Sequence, residues 1–135
     1  MIYMLDTNIC IYILKHKDDK VLQKFYSCNF GDIGISSIVY SELIYGVEKS
    51  LKRDDNLKNL LKFVSSVEIY DYDINASNEY GRIRSELEKS GNIIGSMDML
   101  IAAHAKSQNV ILVTNNEREF SRVKGLNTED WVNER

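Results

Sequence analysis

The amino-acid sequence predicts an α/β fold of three layers, a central parallel sheet of about five strands flanked by helices. Three observations carry that expectation. Short apolar runs alternate with longer segments of helical periodicity, the pattern of strand–helix–strand units. Val110-Ile111-Leu112-Val113 is apolar at every position, as a strand covered on both faces must be. Polar groups follow directly behind two strands, Asp6 behind the first and Asn116 to Glu119 behind the last apolar one. Sites in open α/β sheets lie beyond the carboxyl ends of the strands, where strand order reverses. If the first and fourth strands are neighbours, these groups converge.

The elements follow in order. Residues 2–5 read as a short buried strand, and Thr7 or Asn8 caps a helix running to about Lys15, because a short polar side chain accepts from the free N–H groups of a first turn. A second helix covers Lys20 to Ser27, and Ile33-Gly34-Ile35 is a strand. Ser36 or Ser37 caps a helix ending near Lys49, and Asp54 or Asp55 opens the next, with Leu57, Leu60, Leu61 and Val64 at helical spacing. Val67 to Tyr70 is a strand, and Asn75 to Lys89 is a long helix closed by Gly91, a residue that takes the left-handed conformation freely. Ser96 caps a helix over 97–107, residues 110–113 form the fourth strand, and 126–128 a last edge strand before Trp131. Proline is absent, so Gly, Asn, Asp and Ser supply the punctuation. No repeat, low-complexity segment or linker divides the chain, and residues 1–135 read as a single domain.

Composition narrows the class. A hydrophobic fraction of 44% over 135 residues supports one core. No apolar run approaches the roughly 18 residues of a membrane helix, and the start carries no basic leader or signal-like apolar stretch; a cytoplasmic protein is expected. Cys10 and Cys28 fit no metal-ligand spacing and are expected to be reduced and structural. The net charge of −3 does not advertise nucleic-acid binding, although acids clustered around a metal would account for part of it. Lys49, Lys52, Arg53, Lys58 and Lys62 are either a phosphate-facing strip or, on the simpler reading, a solvated helix face.

Four carboxylates stand in distinctive surroundings: Asp6 in Leu5-Asp6-Thr7-Asn8, Glu42 in Tyr40-Ser41-Glu42-Leu43, Asp98 in Met97-Asp98-Met99, and Glu119 in Glu117-Arg118-Glu119-Phe120. Acids among apolar residues are costly unless paired, and a divalent cation is the usual partner of such a cluster. Each has a plain structural reading too. Asp6 can end a strand, Asp98 can answer a helix dipole, and Glu119 can be a surface charge. Glu42 resists that treatment, because Ile38, Val39 and Tyr45 share its helical face. Arg82 either forms an ion pair such as Arg82–Glu86, with Arg84–Glu88 beside it, or contacts substrate phosphate. His104 reads as a hydrogen-bonded packing residue, and no Ser-His-Asp or Cys-His arrangement or P-loop is discernible.

Taken in order and spacing, these pieces resemble the PIN-domain ribonucleases, in particular the VapC toxins of bacterial type II toxin–antitoxin systems. The resemblance runs over essentially the whole chain. Leu5-Asp6-Thr7-Asn8, Ser41-Glu42-Leu43 with Gly46, Arg82-Ile83-Arg84 with Glu86-Leu87, Gly95 with Asp98 and His104-Ala105, and Leu112-Val113-Thr114-Asn115-Asn116 with Glu119-Phe120 carry it, followed by Gly125-Leu126 and Glu129-Asp130-Trp131. It implies a PIN-like fold and cleavage of RNA dependent on Mg²⁺ or Mn²⁺. Asp6 and Asp98 would coordinate metal, Glu42 would bind it through water or orient the attacking water, and Glu119 would help hold a second metal or its waters. Thr114, Asn116, Asn8 and Arg82 would serve in support or touch substrate. The implied partners are a cognate VapB-type antitoxin, a second copy of the chain, and an RNA, with initiator tRNA cut in its anticodon stem-loop as the best-matching substrate. Many PIN domains place a fourth acid where this chain has Asn116, and Glu119 is the expected replacement.

A groove for an antitoxin segment would draw on Ile9, Ile11, Tyr12, Ile13, Tyr40, Ile44 and Tyr45, most of which also suit the core. Two rival readings compete. A haloacid dehalogenase-like phosphatase wants a second Asp at the position of Asn8, and a non-catalytic RNA-binding PIN domain would have lost acids that this chain keeps.

Overall fold

Tyr3–Leu5 form β1, and the strands that pair with it come from distant parts of the chain. The computed structural model describes residues 1–133; the last two positions of the expected 1–135 domain lie outside the described residues. After β1 come helices α1 (Thr7–Leu14) and α2 (Asp19–Ser27), strand β2 (Ile33–Ser36), and helices α3 (Ser37–Glu48) and α4 (Arg53–Val64). Strand β3 (Glu68–Tyr70) leads to helices α5 (Ile74–Ser90) and α6 (Ser96–Gln108). Strand β4 (Ile111–Val113), the short helix α7 (Glu117–Phe120) and strand β5 (Asn127–Glu129) complete the order.

Among the described residues the strands make one parallel five-stranded sheet in the order β3-β2-β1-β4-β5. Tyr3 is in register with Ile33 on one side and with Ile111 on the other, and Leu5 faces Val113. The order reverses between β1 and β4, so the expected adjacency holds and the ends of both strands open at the switch point. Each predicted strand is present within a residue or two. The prediction lacked α7, whose four residues are too few to show a helical period.

Local chemistry explains the starts of the helices. Asp6, not Thr7 or Asn8, caps α1, its side chain accepting from the Ile9 N–H, and Thr7 becomes the first helical residue. Asp18, Ser36 and Asp73 cap α2, α3 and α5 in the same way. Asp54 and Asp55 lie in the first turn of α4 rather than capping it, where the helix dipole favours them. Ser96 opens α6 as its first residue, and the cap position belongs to Gly95, with no side-chain bond. Gly34 in β2 is needed for space, since a Cβ there would run into the side chains of Met1 and Tyr70.

The core joins Met4, Leu5, Ile9 and Ile35 to Leu112, Ile101 and Phe120 around the sheet. Trp131 closes it beside β1, fully buried, its ring edge-on to Tyr3 at 5.3 Å and its Nε1 donating to Glu129. Both cysteines are free thiols, Cys10 buried and Cys28 half-buried. His104 is buried with Nδ1 2.7 Å from Ser36 Oγ and its ring against Tyr72, the packing role expected of it; burial holds its pKa below the ordinary range. Among the described residues no helix is long and apolar enough to cross a membrane.

Trp131→Ala should cost about 3–5 kcal/mol, the usual penalty for emptying a large buried aromatic site. A denaturant melt followed by circular dichroism would measure it, and a loss below about 1 kcal/mol would deny Trp131 its place in the core.

Candidate active site

Asp6 ends β1 and starts α1, so one residue both closes a strand and caps a helix. Its backbone N–H donates to Val113 O at 3.0 Å, tying it to the end of β4, and its Oδ1 accepts from Ile9 N–H at 3.0 Å. The Thr114 side chain, fully buried, hydrogen-bonds to the same carboxylate. Asp6 is only 6% exposed. Burial raises its pKa, the hydrogen bonds from Thr114 and Ile9 oppose the rise, and the charges of Glu42 and Asp130 add to it.

Glu42 comes from α3, whose start is fixed by the Ser36 cap. Thr7 Oγ1 donates to Glu42 Oε1 at 2.5 Å and joins α3 to the first turn of α1. Asp98 lies in the first turn of α6. Its pKa is pushed up to about 6 by partial burial, then by the charges of Glu119, Asp6 and Glu42, and by a hydrogen bond to Glu119. Glu119, on α7, is shifted the other way. Gly95 N–H donates to its Oε1 at 2.8 Å and Asn116 Nδ2 to its Oε2 at 2.7 Å, and these bonds, with Arg122 nearby, hold its pKa below the ordinary value. A proton shared by this pair therefore resides on Asp98.

The four acids read from the sequence thus lie within one another's electrostatic reach at the carboxyl ends of β1 and β4. Thr114 and Asn116 stand behind them as donors. Asn116 takes no acid's place; its backbone N–H donates to Thr114 Oγ1 at 2.9 Å while its amide steadies Glu119. Asn8 is exposed in the first turn of α1. Arg82 is not brought to the cluster. It pairs with Glu79 at 2.6 Å instead of Glu86 and faces a polar cavity with Asn75, Asn78 and Ser107, at the opposite end of α6 from Asp98. The Arg84–Glu88 pair forms as expected at 3.2 Å. The lysine-rich stretch behaves as a solvated face: Arg53 pairs with Glu48 and Asp54, and Lys49 lies over the exposed Tyr45 ring.

Sequence reasoning missed Thr7 as the donor to Glu42, Gly95 as the donor to Glu119, and Asp130 as a further charge acting on Asp6. A hydroxyl beside an acid at a strand–helix turn was a visible signal for Thr7. Nothing local marked the other two.

The donor set suits a hard divalent cation. The described ion pairs leave Asp6, Glu42, Asp98 and Glu119 without a lysine or arginine salt bridge, and burial and repulsion raise the pKa of Asp6 and Asp98. Among the described residues no three such side chains stand close enough together to hold an ion by themselves; a hard cation keeps several of its own waters and does not require a cage of protein ligands.

Away from the acids, a cavity of about 440 Å³ runs between α1, α2 and α4, with Ile13, Phe25, Tyr26 and Phe63 among its apolar walls. Of the residues expected to line a groove, only Ile13 does; Ile9 is core, Ile11, Tyr12, Tyr40 and Ile44 pack against it, and Tyr45 is on the surface.

A family model described as "PIN domain" matches residues 3–126. The chain is 49% identical over 129 residues to the tRNA(fMet)-specific endonuclease VapC of Shigella flexneri, covering 96% of this chain and 97% of that one. It is 48% identical over 132 residues to ribonuclease VapC2 of Rickettsia felis, covering 97% and 98%. Among solved structures, DNA-bound VapBC from Salmonella typhimurium superposes with a TM-score of 0.92 at 44% identity, over 97% of this chain and 98% of that one.

Asp98 binds its proton more tightly in the folded chain than at the ordinary 3.8, so folding gains stability as pH falls from about 6 toward 4 and lacks that gain above 6. In EDTA, Asp98→Asn should therefore melt above the unaltered protein at pH 7, with the two midpoints converging near pH 4. A gap that stays constant over that range would contradict the raised pKa. Arg82→Ala should leave any activity of the carboxylate site close to that of the unaltered protein, measured side by side.

Proposed function

The chain belongs to the PIN-domain family, in its VapC branch, and we propose that it is the toxin of a type II toxin–antitoxin pair, a metal-dependent endoribonuclease. The observation that carries the reading is the convergence of Asp6, Glu42, Asp98 and Glu119 at the switch point of the sheet, with no lysine or arginine salt bridge to any of them among the described residues. A Mg²⁺ or Mn²⁺ ion there would acidify a bound water and neutralise charge growing on a phosphodiester.

Asp6 and Asp98 would hold that ion directly. Thr114 and the Ile9 N–H fix the Asp6 carboxylate, so little reorganisation is left for binding. Glu42, which accepts from Thr7 Oγ1, would bind the metal through water or orient the attacking water. Glu119 has both oxygens engaged by Gly95 and Asn116, and each keeps a second lone pair for metal-bound water. Asn8, exposed beside the acids in sequence, is available to a phosphate oxygen.

The substrate is proposed from the relatives. The Shigella protein is named for tRNA(fMet), and at 49% identity over nearly the whole chain the same initiator tRNA, cut in its anticodon stem-loop, is the first candidate here. The related structures are complexes of VapB with VapC, so a VapB-type antitoxin is the proposed partner of the apolar cavity between α1, α2 and α4, within a larger assembly built on a homodimer. A non-catalytic PIN domain is disfavoured because Asp6, Glu42 and Asp98 are all retained. A phosphatase of the haloacid dehalogenase type is disfavoured by Asn8, which stands where that chemistry needs a second Asp.

Purified protein freed of antitoxin should cut total tRNA into a discrete fragment with Mg²⁺ or Mn²⁺ and not with EDTA. Asp6→Asn and Asp98→Asn should each abolish the fragment, a loss of at least about a hundredfold, while circular dichroism stays unchanged. Full cleavage by Asp98→Asn would sink the assignment. No fragment from any tRNA, with cutting of another RNA, would move the substrate and keep the reaction.

A further inference from the structure

The loop between α5 and α6 is gripped on both sides of one buried residue. Ile94 sits in the core at 4% exposure. The carbonyl just before it, Ile93 O, accepts from Arg122 Nη1 at 3.0 Å, and the N–H just after it, Gly95, donates to Glu119 Oε1 at 2.8 Å. Both grips come from one short stretch, which is anchored by the buried Phe120 and Val123. Asp98 leaves α6 three residues after Gly95, and its carboxylate folds back over that position. A Cβ on Gly95 would meet Asp98 Oδ2 at 3.3 Å and Glu119 Oε1 at 3.8 Å. Gly95 has φ −58°, which any residue can adopt, so its missing side chain answers crowding by the two carboxylates and not backbone strain.

We propose that Arg122 is a positioning residue for the carboxylate site: its guanidinium clips loop 91–95 to the stretch bearing Glu119 and thereby sets the start of α6 and the place of Asp98. The inference rests on the metal-dependent reading above. Arg122 touches none of the reacting groups in this role. Its contact is with a main-chain carbonyl on the far side of Ile94 from the acids, and it acts through the loop. Arginine suits the task because it remains charged at all working pH values and directs its donors in a fixed plane.

A charge-only role and a positioning role predict opposite results. As a bare positive charge near the acids, Arg122 would oppose a cation, and its removal would tighten metal binding. As a clip, its removal loosens the ligand geometry and weakens binding. The test is a Mn²⁺ titration of purified, RNA-free protein, read by electron paramagnetic resonance of the free ion, beside hydrogen exchange of the Gly95 amide. Arg122→Met should weaken Mn²⁺ binding about three- to tenfold, the net scale of one ordinary hydrogen bond, and speed exchange at Gly95. Arg122→Lys should restore most of both. Gly95→Ala should weaken Mn²⁺ binding through the crowding of Asp98. In cleavage assays Arg122→Met should lower kcat and leave KM for RNA unchanged. Unchanged or tighter Mn²⁺ binding by Arg122→Met overturns the proposal. So does a rise in KM with Mn²⁺ affinity intact, which would give Arg122 a substrate contact instead. If the unaltered protein binds no Mn²⁺, the metal reading fails, and the Gly95 exchange rate still decides whether the clip exists.

Discussion

Burying the Asp6 carboxylate is costly, and the rest of the site is organised by how that cost is met. Ile9 N–H and the Thr114 hydroxyl supply hydrogen bonds, one from the helix that Asp6 starts and one from the strand beside it. The two bonds do not return the acid to its ordinary pKa, because burial outweighs them and the like charges of Glu42 and Asp130 add to the rise. The tension is passed along. Asp98 is pushed up to about 6 by its partial burial and by the charges of Glu119, Asp6 and Glu42, while the bonds from Gly95 and Asn116 hold Glu119 below its ordinary value. The sheet makes this tolerable: β1 is clamped between β2 and β4, so its end cannot swing away to relieve the repulsion.

That arrangement trades stability for readiness. A chain that replaced these acids by neutral isosteres would fold with less internal conflict, and such trade-offs are usual where a site must receive a ligand that supplies what the protein lacks. The donors around the acids serve a second purpose here. Thr7, Thr114, Asn116 and Gly95 each fix one carboxylate, so the negative groups repel without being free to rotate apart.

Much of this was legible in the sequence because the relevant physics is local. The fully apolar run at 110–113 marked a strand covered on both faces, and polar residues immediately behind it marked the open end. Ser36 and Gly91 punctuate where short hydroxyls and left-handed glycines do so in general. Glu42 announced itself as an acid on an apolar helical face. What failed depended on geometry in three dimensions. Arg82 had an acid at either end of its reach, and only the rotamers of α5 select Glu79 over Glu86. Thr7 looked like a cap until Asp6 took that place, which freed its hydroxyl for Glu42. Asn116 looked like a missing acid, but its value as an amide donor emerges only once α7, too short to be read, brings Glu119 back over it. The grip on Ile93 and Gly95 joins residues 24 and 29 positions apart, and no periodicity or spacing encodes it.

The central place of β1 has a consequence for how the molecule comes into being. Asp6 is made well before its partners Val113 and Thr114, which lie far along the chain from it. A nascent chain can pair β1 with β2 early, yet one side of β1 remains open until β4 is made. Asp98 and Glu119 likewise meet only after α7 has emerged. A nascent chain that stops short of α7 therefore holds Asp6, Glu42 and Asp98 without Glu119, and the four-acid cluster is assembled only once that short helix has been made.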